Sequence, residues 1–298
     1  MRLTREEVKT YLKRIGISDI QPPTLPYLVE LQRAHVQKIS WQTVNIFGGK
    51  PASIDIRESV GLILNHRSGY CFHLNGAFST LLRSLGYQVS WHAAGVQSID
   101  ENFDVNHLGL IVHVPNDETG DKWIADVGMG VMPYGPILLK AGDYEQGPFS
   151  YSVKESSVVP NGWRFEHDPA YSSIGVELSL DVVTDLGIFM PAHEKLSRSA
   201  ESPWKNLFVA QQIYAGGFNE LKNCVWKKTN REGIEKTEIA SKSLWLDVLA
   251  EIFHEPLINY SREERNELWK RVLEQHEGWK RMASMQGAPS GTSSVIMG

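Results

Sequence analysis

The stretch HRSGYCFHLNGA, residues 66–77, contains one of the two cysteines of the chain. Cys71 follows a bend of small residues and directly precedes a segment with helical character. A helix that begins there would direct free backbone N–H groups and its dipole at the sulfur, which stabilises a thiolate. Free cysteine is also among the most often buried residues and packs as a small hydrophobe. Position alone therefore supports a nucleophile and a core residue about equally.

A catalytic thiol needs a base within hydrogen-bond reach. His73 is two residues from Cys71, and side chains two positions apart on a helix do not face each other. His107 is the better candidate because it lies on a predicted strand, where alternate residues share one face. His113 shares that face, but six residues at about 3.3 Å each place it about 20 Å away. We predict that His107 is the base and that His113 is structural or exposed.

A histidine base in turn needs an acceptor that orients its ring. Asp126 follows an apolar, extended run in the segment WIADVGMG. A buried carboxylate costs on the order of several kcal/mol unless it is paired, and His107 would pair it. Alternatively, Asp126 only begins a turn, because Gly128 and Gly130 follow it closely. The sequence leaves both interpretations open.

Other chemistries have little support in the sequence. The segment GMGVMPYG lacks the spacing of a dinucleotide-binding loop, and the chain has no phosphate-binding P-loop motif. His193 and Glu194 lack the second histidine of a zinc-binding HExxH motif, and no paired Cys-x-x-Cys occurs, so we expect no metal site. Cys224 lies in the alternating segment NELKNCVWKK and is expected to be structural.

Composition excludes several classes of protein. The 298 residues include 30 Lys and Arg against 35 Asp and Glu, a formal net charge of -5, which does not favour nucleic acid as a partner. The apolar runs stop after five residues, far short of the roughly 20 needed to cross a bilayer. Two cysteines and a charged N-terminus without a secretory pattern lead us to expect a cytoplasmic protein.

The elements that position these residues follow from the hydrophobic pattern, which changes near Gly86. Before Gly86 the pattern is helical. Capping motifs at Thr4 and Thr24 predict the first two helices. Residues 56–65 predict a third, and residues 71–85 predict a fourth that ends at Gly86, where a left-handed residue costs least.

After Gly86 six short extended segments, separated by turn residues, predict an antiparallel barrel or sandwich. From Ser202 the pattern mixes a helix over residues 203–216, two strands and two closing helices, the last with a capping box at Ser261. These patterns divide the chain into four parts. We predict a helical domain of residues 1–86, a β-barrel domain of residues 87–201, an α/β domain of residues 202–282 and a flexible tail of residues 283–298.

Three segments carry a resemblance to a known family. RSGYCFHLNGAFSTLLRSLGY, NHLGLIVHV and WIADVGMG occur in this order, with Cys71 and His107 36 positions apart and His107 and Asp126 19 positions apart. This pattern resembles the arylamine N-acetyltransferase family. ELQRAHVQKISWQTVNI, GPFSYSV and WRFEHDP are similar to it too, so the resemblance covers roughly residues 1–200.

The resemblance implies an α+β fold with a helical domain, a central antiparallel β-barrel and a C-terminal α/β lid around a cysteine-protease-like catalytic core. It implies a Cys71, His107 and Asp126 triad and acetyl-CoA as acyl donor. The reaction it implies is ping-pong: the Cys71 thiolate takes the acetyl group, and an aromatic amine or hydrazine nitrogen then removes it. It assigns a supporting role to Arg67 and places four residues at the acceptor pocket: Gly128, Met129, Gly130 and Val131.

The chain departs from the family pattern at two places. Ser68 replaces the first glycine of Arg-Gly-Gly, which would cost about 1 kcal/mol or more if the backbone there were left-handed. Trp41, Gln42 and Thr43 replace Phe-Glu-Asn, so that Gln42 lacks the charge a glutamate would offer Arg67. We expect a neutral hydrogen bond to substitute, with an altered activity or substrate preference.

Three alternative functions stay open. A transglutaminase-like or papain-like cysteine hydrolase uses the same order of Cys, His and Asp. An amide synthase would take its acyl group from a biosynthetic carrier. A degenerate, non-catalytic member would act as a binding module. The sequence does not determine the natural acceptor, the acyl-chain preference, the CoA contacts or the oligomeric state.

Overall fold

The computed structural model describes residues 1–168 and 174–285. It has an α+β fold, as predicted. The helices are α1 (Arg5–Arg14), α2 (Leu25–Lys38), α3 (Val44–Phe47), α4 (Ile56–Leu64), α5 (Cys71–Leu85), α6 (Met190–Ser197), α7 (Lys242–Glu251) and α8 (Arg262–Met285).

The predicted helix boundaries in the first part of the chain are confirmed. Thr4 and Glu7 form a reciprocal capping box at the start of α1. The Thr24 side chain accepts the N–H of Tyr27 at the start of α2. α5 ends at Gly86, whose φ of 102° is left-handed and therefore suits a residue without a Cβ atom. Local sequence was sufficient here because each helix end is closed by residues within one turn of it.

The larger sheet is antiparallel, curved into a nearly closed barrel, and contains eight strands. Its spatial order is β5-β4-β3-β2-β9-β8-β7-β6. The strands are β2 (Gln88–Ser98), β3 (His107–His113), β4 (Lys122–Ile124), β5 (Ile137–Leu138), β6 (Gly142–Gln146), β7 (Phe149–Glu155), β8 (Trp163–His167) and β9 (Ile174–Val183). All six extended segments predicted from the sequence lie in this sheet or at its strand ends.

The smaller sheet has the order β1-β10-β11-β12-β13 and is also antiparallel. Its strands are β1 (Trp41–Gln42), β10 (Val209–Tyr214), β11 (Gly217–Lys222), β12 (Val225–Asn230) and β13 (Gly233–Glu238). The helix predicted over residues 203–216 is wrong, because Pro203–Lys205 form a 3-10 turn and Val209–Tyr214 form β10. Val209, Ile213 and Tyr214 favour a strand, and pairing with β11 decides it.

The first and last parts of the chain share a sheet and a core, which the sequence pattern did not reveal. β1 pairs with β10, with Trp41 opposite Gln211. Val44 and Phe47 of α3 pack in a buried cluster with Trp245 and other residues of the C-terminal part. β1 therefore connects the segment before Cys71 to the C-terminal sheet.

The C-terminal helix begins as predicted. The Ser261 N–H bonds the Glu264 carboxylate, and the Glu264 N–H bonds the Ser261 hydroxyl. The helix continues to Met285, three residues beyond the point where a tail was expected, and residues 286–298 of that tail lie outside the described residues. Among residues 1–168 and 174–285, every helix is too short or too polar to cross a membrane.

Candidate active site

Cys71 is the first residue of α5, a helix of 15 residues. The first backbone N–H groups of a helix have no hydrogen-bond partner within the helix, and they point out of its N-terminal end. In α5 that end is where Cys71 lies. The side chain is 6% exposed, and its sulfur lies 3.8 Å from the Asn106 carbonyl oxygen. A thiolate at this position would face partial positive charge from the helix.

His107 and Asp126 form a buried pair. His107 Nε2 lies 2.7 Å from Asp126 Oδ2, and the two residues are 0% and 1% exposed. His107 is the first residue of β3, one position after Asn106, whose carbonyl contacts Cys71. The N-terminal end of β3 thus places the His107 imidazole at the start of α5. The structure brings together the three side chains that the sequence analysis selected.

The pKa of His107 is raised well above its ordinary value. Burial lowers it, but the charge and hydrogen bond of Asp126 and the hydrogen bond and charge of Cys71 together outweigh that effect. The imidazolium form is therefore stabilised at neutral pH. A proton held on His107 beside the sulfur is what a thiolate nucleophile requires.

Asp126 lies two residues beyond the end of β4, and both of its sequence interpretations hold. It begins a turn, because its Oδ1 accepts the Gly128 N–H at 2.7 Å, and it also pairs with His107. Gln32 Nε2 donates to its carbonyl oxygen at 3.1 Å. Both side-chain oxygens of Asp126 are therefore held in place, Oδ1 by the Gly128 N–H and Oδ2 by His107.

Asn75 is a positioning residue that sequence reasoning missed. It lies one turn after Cys71 on α5, and its Nδ2 donates to Asp126 Oδ1 at 3.0 Å and to the Leu108 carbonyl at 2.8 Å. Its Oδ1 accepts the Val127 N–H at 2.9 Å. The available signal was the i, i+4 spacing from Cys71, which places both side chains on one helix face.

We expect Asn75→Ala to lower both stability and activity. The change leaves the buried Leu108 carbonyl and Val127 N–H without the Asn75 side chain, which should cost about 2–4 kcal/mol of unfolding free energy. The Asp126 carboxylate also loses a donor, so we expect about 10- to 100-fold slower turnover. Urea unfolding and steady-state kinetics measure the two effects. Asn266→Ala, on the exposed face of α8, is the control and should change neither by much.

Two of the four residues assigned to the acceptor pocket have close neighbours that locate them: Gly128 lies against Cys71, and Gly130 lies against the smaller sheet. A Cβ atom at Gly128 would come within 2.9 Å of Cys71 Cα and of Asn75 Nδ2. A Cβ atom at Gly130 (φ 71°) would come within 2.9 Å of Trp41 Cβ and 2.7 Å of Gln211 Cβ. Met129 and Val131 are half-buried against the main core.

Gly128→Ala should therefore displace the Cys71 helix start. We expect a loss of about 1–3 kcal/mol from overpacking and a marked fall in the rate at which iodoacetamide alkylates Cys71. Gly61→Ala is the matched control, since a Cβ atom there meets nothing within 4 Å and α4 should gain about 0.5–1 kcal/mol. Equal alkylation rates in both variants would contradict this expectation.

An aromatic cluster that the sequence did not predict surrounds the residue before Cys71. The Tyr70 hydroxyl lies 2.5 Å from His193 Nδ1, and its ring packs edge-on against Trp204 at 5.2 Å between centroids. Phe72 packs against Phe189 at 5.4 Å. His193 thus contacts the active-site helix start, although its sequence neighbourhood carried no signal of this.

The other histidine near Cys71 has a different environment from His107. His73 Nε2 lies 3.1 Å from the Ser53 carbonyl oxygen. Burial, together with His193, lowers the His73 pKa to about 4, so this ring is neutral. His113 is half-buried at the far end of β3, opposite Gln88.

Cys224 and one acidic cluster lie apart from the triad. Burial raises the pKa of the Cys224 thiol to about 11. Among the residues that the structure describes, Glu238, His276 and Glu277 have ligand atoms within 4.8 Å of one another. Glu238 already pairs with His276 at 3.1 Å and with Lys280 at 2.9 Å, so ion pairs account for this cluster.

Comparison with known proteins identifies the family. A family model described as N-acetyltransferase matches residues 24–259, most of the chain. The chain belongs to the arylamine N-acetyltransferase family. An arylamine N-acetyltransferase / N-hydroxyarylamine O-acetyltransferase from Salmonella typhimurium is 29% identical over 227 residues, which cover 72% of this chain and 75% of that protein.

A second family relative is the proansamycin X synthase of Amycolatopsis mediterranei, 29% identical over 136 residues. That match covers 41% of this chain and spans about half of the relative, 48% of its length. The Mycobacterium bovis arylamine N-acetyltransferase is 30% identical over 143 residues, covering 46% of this chain and 50% of that protein.

Solved arylamine N-acetyltransferase structures share this fold. The Mycobacterium tuberculosis protein has a TM-score of 0.78 at 23% identity, covering 90% of this chain and 98% of that chain. The Mycobacterium marinum protein in complex with CoA has a TM-score of 0.78 at 21% identity, covering 89% and 98%. The expected fold is therefore confirmed over most of the chain.

The two departures from the family pattern meet at one buried carboxylate. Ser68 is fully buried, and its hydroxyl donates to Glu255 Oε2 at 3.0 Å. Gln42 Nε2 donates to the same oxygen at 3.2 Å, and Gln42 Oε1 accepts the Val44 N–H, not the Arg67 guanidinium that was expected. Arg67 instead donates to Asn45 Oδ1 at 2.6 Å.

The condition under which Ser68 would carry backbone strain, a left-handed φ, is not met. The left-handed residue of this bend is His66, with φ of 55°, two positions earlier. The Ser68 backbone stays outside the left-handed region, so serine costs nothing there. What the position requires instead is an acceptor for the buried hydroxyl, and Glu255 provides it.

Proposed function

We propose that this protein transfers an acetyl group from acetyl-CoA, through a Cys71 thioester, to the nitrogen of an aromatic amine or hydrazine. The observation that carries the proposal is the buried pair of His107 and Asp126 beside a cysteine at the start of a 15-residue helix. Membership of the arylamine N-acetyltransferase family supports the donor and the acceptor class.

The first half-reaction forms the acetyl-enzyme. The Cys71 thiolate attacks the thioester carbonyl of acetyl-CoA, and the carbon–sulfur bond to CoA breaks as the tetrahedral intermediate collapses. The departing CoA thiolate takes the proton from the His107 imidazolium. One thioester replaces another, so this step is energetically near neutral, and it leaves His107 neutral.

The second half-reaction releases the product. The amine or hydrazine nitrogen attacks the acetyl-cysteine carbonyl and gives its proton to neutral His107. The bond to Cys71 then breaks, which yields the amide and restores the thiolate and the imidazolium. Asp126 orients the ring throughout and stabilises its charged form.

The oxyanion of both tetrahedral intermediates needs hydrogen-bond donors. Backbone N–H groups in the first turn of α5, including that of Cys71, are preorganised for this because the helix does not use them. We assign Gly128, Met129, Gly130 and Val131 to the acceptor side of the site. The contact of Gly128 with Cys71 supports this for the first of the four.

The same proposal includes a cellular setting and a division of the chain. A reactive thiol and a second cysteine, both free, suit a reducing compartment, so we place the protein in the cytoplasm. Residues 1–86 supply the nucleophile, residues 87–201 supply the base and its carboxylate, and residues 202–282 cover the site.

Intact-mass analysis after incubation with acetyl-CoA tests the proposal. We expect a gain of one acetyl group on Cys71, which is lost when aniline or phenylhydrazine is added and reappears as the acetylated product. A protein that never gains the acetyl group and instead cleaves amides would overturn the proposal in favour of a cysteine hydrolase.

A second donor class belongs in the same experiment, because one relative is named a synthase. In this experiment acetyl-CoA competes for Cys71 with a longer acyl thioester carried on a pantetheine mimic of a biosynthetic carrier. Preferential loading from acetyl-CoA supports the proposal. Loading from the carrier mimic alone would favour an amide synthase.

A further inference from the structure

Glu255 is a buried carboxylate directly behind the bend that precedes Cys71. It is 2% exposed and follows α7 in the C-terminal part of the chain. Its Oε2 accepts both the Ser68 hydroxyl and the Gln42 side-chain amide, partners 187 and 213 residues away in sequence. Only a tertiary contact unites these three residues.

Two guanidinium groups face this carboxylate. Burial raises the pKa of Glu255, and the charge of Arg14, the hydrogen bonds from Ser68 and Gln42, and the charge of Arg67 oppose that. Arg14 is itself largely buried, and its Nε and Nη2 atoms have no hydrogen-bond partner among the described residues. The net effect is a raised pKa, and the Glu255 carboxyl group lies near two cations, one from the first helix and one from the Cys71 bend.

The partners of Glu255 lie on both sides of the active-site bend. The Gln42 N–H donates to the Gly69 carbonyl at 2.8 Å, and Trp41 forms a parallel bridge with Gly69. Ser68 is the neighbour of Gly69 on the other side of that contact. Gln42 therefore links β1 to the bend through a backbone hydrogen bond. Glu255 links the same two segments a second time, because it accepts hydrogen bonds from the side chains of Gln42 and Ser68.

Little space is left for the bend to shift. A Cβ atom on Gly69 would lie 2.6 Å from His73 Nδ1, in the first turn of α5. The residue after Gly69 is Tyr70, the N-cap of α5, and Cys71 follows. A movement of the bend is therefore transmitted to the helix start that holds the nucleophile.

We propose that Glu255 is a positioning residue for Cys71, supplying from the C-terminal part of the chain the carboxylate that Gln42 does not carry. This inference rests on the proposed acyl transfer for its role in catalysis. The three residues form one set, because a glutamate at position 42 would face Glu255 as a like charge. An amide at position 42 and a hydroxyl at position 68 instead both donate to Glu255.

Exchange of the two side chains tests this inference. The variants are Glu255→Gln, Gln42→Glu and the double variant Gln42→Glu/Glu255→Gln, which restores one carboxylate and one amide. Glu251→Gln is the matched control, since it removes an exposed carboxylate four residues earlier. Each protein is assayed for Cys71 alkylation by iodoacetamide, for acetyl-enzyme formation and for thermal unfolding.

We expect Glu255→Gln to slow alkylation and acetylation about 10- to 100-fold, and the double variant to recover most of both rates. Gln42→Glu alone should also be impaired, because it adds a second buried carboxylate. Glu251→Gln should behave as wild type. The recovery distinguishes a charge requirement from a general loss of packing.

Wild-type rates in Glu255→Gln would overturn the inference, as would a double variant that stays as slow as the single one. If Glu255→Gln does not fold, the double variant decides alone: folding with restored reactivity supports the inference, and failure overturns it. Alkylation does not depend on acetyl-CoA. Wild-type protein that alkylates rapidly but never gains an acetyl group would therefore reject the proposed function without deciding the role of Glu255.

Discussion

Cys71→Ala should abolish acetyl-enzyme formation while leaving the fold intact. In the proposed mechanism the sulfur carries the acetyl group, so its removal is expected to lower turnover by on the order of 10⁴-fold or more. Cys71 is 6% exposed and small, and its replacement by alanine removes one atom at the edge of the main core. Stopped-flow acetylation measures the rate, and circular dichroism checks the fold.

Cys224→Ala is the matched control for that experiment. Cys224 is fully buried in the smaller core cluster, far along the chain from the triad. We expect activity within about twofold of wild type and a stability loss of about 1–2 kcal/mol. Unchanged activity in Cys71→Ala would mean that the protein works without a covalent intermediate and would favour the binding-module alternative.

Asp126→Asn is expected to have the second largest effect, about 10³- to 10⁴-fold on turnover. Asp126 is the main influence that raises the His107 pKa against the effect of burial. With a neutral amide in its place burial dominates, so the His107 pKa falls and the ring is neutral at pH 7. The thiolate then loses its paired cation, and alkylation of Cys71 at pH 7 should slow in parallel with acetylation.

The pH dependence of this variant provides a separate measurement. The folded-state pKa of wild-type His107 is raised, so its charge contributes stability that is fully present below the ordinary pKa of about 6.5 and is lost as pH rises through the folded-state value. Asp126→Asn should remove that dependence from urea unfolding curves between about pH 6.5 and pH 10. A variant that keeps the wild-type rate and pH profile would show that Asp126 does not orient the base.

Local and periodic features of the sequence determined much of the fold. The cap at Thr4, the left-handed end at Gly86 and the alternation along β3 act within one turn or along one strand, so they can be recognised without the rest of the chain. The order and spacing of Cys71, His107 and Asp126 carried enough information to select them. Residue type restricts nucleophile, base and orienting acid to few candidates.

Only the tertiary structure decided which polar residues support the triad. Asn75 on α5, His193 on α6 and Glu255 after α7 contact the site through side-chain hydrogen bonds, and the three positions share no sequence motif. A hydrogen bond between residues 187 positions apart leaves no periodic trace in either segment. Its donors and acceptors meet only when the packed core fixes both backbones.

The same reason explains the wrong element in the C-terminal part. Residues 203–216 have a composition compatible with a helix, and pairing with β1 and β11 makes Val209–Tyr214 a strand. β1 consists of only Trp41–Gln42, which is too short to show the alternation of apolar and polar residues that identifies a strand. Strand pairing is a contact between distant segments, whereas a helix is closed by its own neighbours. The sequence by itself therefore determined most of the helices and the candidate reacting groups, and the tertiary structure determined the sheet partners and the buried polar contacts around them.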